Sequence, residues 1–74
     1  MAASAVMQLR GNTPDLGLCL DAAALVVERG GSVGITHERN PSALCTTGID
    51  VFCDASEVET IRNIVRERTG LQLC

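Results

Sequence analysis

Lysine, tryptophan and tyrosine are absent from this 74-residue chain, and histidine and phenylalanine each occur once. Without lysine there is no Schiff-base or amine nucleophile. With Phe52 as the only aromatic residue, base stacking on side chains has almost no material. No apolar run reaches the roughly 18 residues that a membrane-spanning helix requires. The N-terminus also lacks the charged, apolar and cleavage regions of a signal peptide. These absences lead us to expect a cytoplasmic domain with neither membrane nor nucleic acid as partner.

What is present fits one small core. Hydrophobic residues make up 46% of the chain and charged residues 20%, a balance too apolar for a disordered tail. So small a domain gains stability by pairing, so a homodimer is expected. The six basic residues are all arginine (Arg10, Arg29, Arg39, Arg62, Arg66, Arg68), and the net charge is −3. Glu57, Glu59 and Glu67 interleave with the last three arginines, which describes an ion-paired helix face rather than a phosphate-binding stripe.

Catalytic and metal sites fail by inventory. The four cysteines, Cys19, Cys45, Cys53 and Cys74, contain no C-x-x-C pair, so reduced thiols are expected and a zinc site is not. Cys19 and Cys53 fall in apolar patterns and read as small core residues. Cys45, in a polar loop, and the terminal Cys74 are the two thiols open to reaction. His37 shares a face with Val33 and Ile35 and reads as a hydrogen-bonded strand-end residue. Asp50 and Asp54 lie roughly 13 Å apart along a strand, too far for a carboxylate dyad. No enzyme and no cofactor is expected.

The periodicities alternate along the chain. Ala5 to Arg10 reads as a first strand, with Met7 and Leu9 on one face. Gly11-Asn-Thr-Pro14 then stops the strand and starts a helix, with Thr13 as N-cap and Pro14 at the first helical position. Residues 16 to 29 are apolar on more than one side, Asp21 and Glu28 sharing one outer stripe, and Gly30-Gly31 closes the helix. Ser32 to Glu38 alternates as a second strand, and Arg39 to Ser42 breaks it.

The third strand runs over residues 48 to 54, Ile49, Val51 and Cys53 facing one way. Ser56-Glu-Val-Glu59 matches a capping box for a second helix through Val58, Ile61, Ile64 and Val65, which Gly70 ends. Leu71 to Cys74 is the expected fourth strand. The order βαββαβ predicts one α+β domain over residues 1–74, a ferredoxin-like two-layer sandwich whose antiparallel sheet carries two helices on one face. Gln8, Arg10, Gly34, Thr36, Asp50 and Phe52 would lie on the open face. The nine residues from 39 to 47 are too few for a parallel crossover, so the second and third strands should be antiparallel neighbours.

The strand, Gly11-Asn-Thr-Pro-Asp-Leu-Gly17, the helix from Leu18 to Gly31 and the strand Ser32 to Arg39 together resemble the ACT domain. The resemblance is one of topology and covers about the whole chain. Here the first loop reads Asn12-Thr-Pro-Asp15 with its glycine at Gly17, where that family commonly has acidic-x-Pro-Gly. The resemblance implies a non-catalytic regulatory domain that senses a small amino-acid-type ligand at a subunit interface and acts on a partner enzyme. Its pocket would join Asn12, Asp15, Leu16 and Gly17 to Val33, Gly34 and Ile35. Free amides at a helix N-terminus would suit the ligand carboxylate, and Asn12 or Asp15 its ammonium group.

Two alternatives stand beside this reading. One is a ferredoxin-like protein-binding module without a small ligand, using the sheet face around Phe52 or a free strand edge. The other is a Rossmann-like half-domain, because Gly11 to Gly17, Glu38 and Phe52-Cys-Asp-Ala-Ser56 resemble the first half of a short-chain dehydrogenase.

Overall fold

The computed structural model describes residues 5–39 and 45–74. The expected break after Arg39 falls mostly in 40–44, outside the described residues. The elements are β1 (Val6–Thr13), α1 (Leu16–Glu28), β2 (Ser32–Arg39), β3 (Cys45–Asp54) and α2 (Val58–Thr69), with one 3-10 turn, Ala55–Glu57, leading into α2. The described residues therefore form a small α+β structure with a three-stranded sheet.

The sheet order is β1-β3-β2, and β3 is antiparallel to both neighbours. Antiparallel pairing of β2 with β3 is what their short connection predicts, and no parallel neighbours occur among the described residues. Because both outer strands oppose β3, they run parallel to each other, with α1 as the connection between them. Register aligns Leu9, Val51 and Val33 in one row and Gly11, Ile49 and Ile35 in the next. Leu9, Ile49, Val51 and Cys53 meet Cys19, Ala22 and Val26 of α1 and Ile61 and Val65 of α2 in the core, which Leu71 and Leu73 complete. Among the described residues no helix is long and apolar enough to cross a membrane.

Several expected boundaries move. β1 does not stop at Arg10; Gly11, Asn12 and Thr13 continue it, opposite Ile49, Gly48 and Thr47. Gly11 is buried, and a Cβ there would stand 3.0 Å from Leu73 Cδ2 and 3.1 Å from the Gln72 carbonyl oxygen, so this glycine admits the C-terminal segment rather than ending a strand. Thr13 therefore stays in the sheet and Asp15 is the N-cap, its Oδ1 accepting the Gly17 amide at 2.9 Å. Thr13 Oγ1 instead accepts the Asp15 amide at 3.2 Å.

The capping box at Ser56 and Glu59 does not form. Ser56 already lies inside the 3-10 turn, and α2 begins without a side-chain cap bond. β3 starts at Cys45, three residues before the expected Gly48, so Cys45 belongs to a strand rather than a loop. Its side chain lies outside the described structure.

The helix ends follow expectation. The Gly30 amide donates to Val27 and the Gly31 amide to Val26, with Gly30 at φ 83°, a Schellman ending. Gly70, at φ 76°, ends α2 by donating to Arg66. Residues 71–74 form no strand, in contrast to the expected fourth. One pair of bonds joins them to β1, the Cys74 amide donating to the Arg10 carbonyl at 2.9 Å and the Arg10 amide to that of Cys74 at 3.0 Å. A single closely spaced pair is short of a ladder.

Candidate functional site

The sheet face away from the helices carries the alternate residues of each strand, and register decides which of them meet. Arg10, Asp50 and Gly34 form one row, and Asn12, Gly48 and Thr36 the next. In the second row β3 has no side chain, so a hollow opens at Gly48 between Asn12 and Thr36. The hollow measures about 480 Å³ and is walled by Arg10, Asn12, Thr36, Glu38, Thr46 and Asp50. That volume suits a small polar molecule. A Cβ at Gly48 would reach only ordinary contact, 3.4 Å from Asn12 Oδ1, and one at Gly34 would meet nothing within 4 Å. Neither glycine is required by packing on this face.

Charge of both signs lines the hollow. Asp50 Oδ1 accepts from Arg10 Nε at 2.8 Å and from Gln8 Nε2 at 3.1 Å, and among the described residues its second oxygen takes no hydrogen bond. The Arg10 side chain is 73% exposed, so the outer nitrogens of its guanidinium face solvent. Glu38 places a second carboxylate on β2. A cation and two anions around an uncharged floor form a surface complementary to a zwitterion.

The residues named from the sequence are divided by the fold. Asn12 lies on the hollow's wall, while Gly34 lies on the same face beside Asp50. Val33 and Ile35 point to the helix side and pack against the core. Asp15, Leu16 and Gly17 form the exposed first turn of α1, where Asp15 is already engaged by the Gly17 amide. Asn12 and the β2 residues are separated by the whole of β3, roughly 10 Å at the spacing of neighbouring strands. The sequence alone does not assign Arg10, Thr36, Thr46, Gly48 and Asp50 to a site, and Glu38 enters only through the dehydrogenase-like alternative. The available signal was the pair Gly34 and Gly48 on a polar strand face, whose meaning depends on register.

The remaining reactive side chains are held apart. Cys19 and Cys53 are buried in the core, as expected. Burial raises the Cys19 thiol above its ordinary pKa, with the Asp15 carboxylate adding to it. Burial likewise raises Cys53, with Asp54 and Glu57 adding. Cys74 is exposed. His37 Nδ1 lies 2.6 Å from Thr47 Oγ1, a hydrogen-bonded strand-end residue as its position suggested. On α2, Arg62 pairs with Glu59 at 2.8 Å, and Arg66 donates to Asn63 at 3.0 Å. Among the described residues no group of three His, Cys, Asp or Glu side chains is placed to hold a metal. No family model, no curated protein and no solved structure matches the chain.

Proposed function

We propose that this chain is a non-catalytic regulatory domain that binds a small amino-acid-type ligand on the open face of its sheet, at a subunit interface. The observation that carries the reading is the glycine-floored hollow in which Arg10, Asp50 and Glu38 surround Gly48. An α-carboxylate would engage the Arg10 guanidinium, and an ammonium group the Asp50 or the Glu38 carboxylate. β2 is the outer strand of the described sheet, so a second copy pairing along it would stand beside Thr36 and Glu38 and wall the hollow. In this reading 71–74 takes the place beside β1 that the fourth strand holds in a ferredoxin-like βαββαβ sandwich, joined to it by the Arg10–Cys74 pair. Reduced thiols suit a cytoplasmic setting, where such a domain would act on a partner enzyme.

The test is thermal denaturation with each of the twenty amino acids. A ligand at 100 times its dissociation constant stabilises by about 2.7 kcal/mol. Gly48→Val fills the hollow without a backbone clash and should abolish the rise in melting temperature; Arg10→Gln should weaken it. A response lost in Gly17→Ala but kept in Gly48→Val would move the site to the first turn of α1. No response to any amino acid at millimolar concentration overturns the reading. The protein-binding module without a small ligand is then favoured by Phe52, 37% exposed on the same face, and by the edge of β2, unpaired among the described residues.

A further inference from the structure

α1 buries Cys19, Ala22 and Val26 against the sheet, yet its outward side is also apolar. Leu16 is 36% exposed, Leu20 55% and Val27 59%. At about 100° per residue these three and the exposed Ala24 fall within roughly 80° of arc, a continuous ridge along the whole helix. Asp21 and Glu28, two turns apart and both exposed, border it on one side. Among the described residues neither carboxylate takes part in an ion pair. The helix contains no basic residue.

We propose that this face of α1 docks an amphipathic helix of a partner protein, one with an apolar ridge and two cationic side chains seven residues apart along one flank. Two arguments select that occupant over a second copy of the chain. In an antiparallel two-fold pairing that brought Leu16 against Val27, the axis would pass beside Asp21 and map the acidic flank onto the same flank, so Asp21 would stand near the partner's Asp21, a like-charge contact. The helix is also only about 20 Å long at 1.5 Å per residue, too short to bury the roughly 800 Å² per partner of a stable dimer. A transient helix-on-helix contact can form on such a ridge, and complementary charge gives it direction. The inference rests on α1 alone and does not require the hollow on the opposite side of the sheet.

The test uses two synthetic helical peptides with the same leucine ridge, one carrying arginines seven residues apart on its flank and one carrying glutamates there. Backbone amide shifts of the full chain are followed by NMR. The arginine peptide should bind about five- to tenfold more tightly, with shifts centred on Leu16, Leu20, Ala24 and Val27. The double variant Asp21→Arg/Glu28→Arg should reverse that preference, and Leu20→Glu should remove binding of both while leaving the unperturbed spectrum folded. Equal binding of the two peptides, or none at millimolar concentration, overturns the proposal. Sedimentation showing a dimer that Leu20→Glu dissociates overturns it in favour of a second copy.

Discussion

α1 and α2 cover the same side of one sheet and are nearly equal in length, 13 and 12 residues, but they are built differently. α2 turns Ile61 and Val65 inward and Arg66, Arg68, Glu59 and Glu67 outward, while the half-buried Arg62 pairs with Glu59. α1 turns the smaller Cys19, Ala22 and Val26 inward and still shows leucine and valine to solvent. One apolar stripe suffices to hold a helix on a sheet. The second stripe on α1 is therefore surplus to the packing within this chain, whereas α2 has none to spare.

The sharpest way to break that contrast is to remove the α2 anchor. Ile61 is 1% exposed, and Ile61→Ala should destabilise the fold by about 2–5 kcal/mol in urea denaturation, the range for large-to-small changes in a closed core. On α1 the corresponding error is the opposite one. Ala22 is fully buried, so the helix lies close to the sheet, and Ala22→Leu should cost about 1–3 kcal/mol through overpacking. If Ala22→Leu were neutral, α1 would not be packed as closely as its small residues imply.

The glycines at the two helix ends differ in what surrounds them. A Cβ on Gly31 would stand 2.6 Å from Val26 Cγ1 and 3.0 Å from the Phe52 carbonyl oxygen, so the chain leaving α1 must pass under its own helix. Gly31→Ala should cost about 1–3 kcal/mol, measured by the same denaturation. A Cβ on Gly70 at the end of α2 meets nothing, and only its φ of +76° opposes substitution. Gly70→Ala should cost about 1–2 kcal/mol, the penalty of a left-handed backbone alone.

How far the sequence discloses this arrangement depends on whether the signal is local. The alternation at Val33, Ile35, Ile49, Val51 and Cys53 predicts strands and their buried face, and register keeps that face. The short link between β2 and β3 predicts their antiparallel pairing. Gly11 and Asn12 read as breakers because their own propensities favour a turn, yet pairing with β3 and the approach of Leu73 hold them in the sheet. Likewise Ser56 has the right spacing for a cap, but the chain turns one residue earlier. The hollow was the least legible feature. Gly48, Asn12 and Thr36 are distant in sequence and meet only through a register that no local pattern specifies.

The thiols provide a pH-dependent form of the same comparison, since α1 carries one and α2 none. A thiol whose pKa is raised on folding stays protonated in the native state while the unfolded chain begins to lose its proton near the ordinary value of 9.0. Stability is then fully present below that pH and declines as pH rises from there toward the raised native pKa. Cys19 and Cys53 both act in this direction, so urea midpoints should fall above pH 9, and Cys19→Ala should reduce the slope. A flat profile in the parent chain would mean that neither thiol is protected by burial. An alkylating reagent should label Cys74 before Cys19 and Cys53, because Cys74 is exposed while those two are buried.

The smallest expected effect is the most informative about α1. Leu20 is 55% exposed, so replacing it with serine removes little buried area. Substitutions at such positions usually change stability by no more than about 0.5 kcal/mol. Serine has a slightly lower helix propensity than leucine, which sets the sign of the small change. Leu20→Ser should therefore leave the urea midpoint almost unmoved while shrinking the exposed apolar ridge, and retention on a hydrophobic-interaction column should shorten. A loss comparable to that of Ile61→Ala would show that Leu20 is buried in solution, within this chain or against a copy of it. The ridge would then belong to the core, and the two helices would differ in composition but not in what they leave open to a partner.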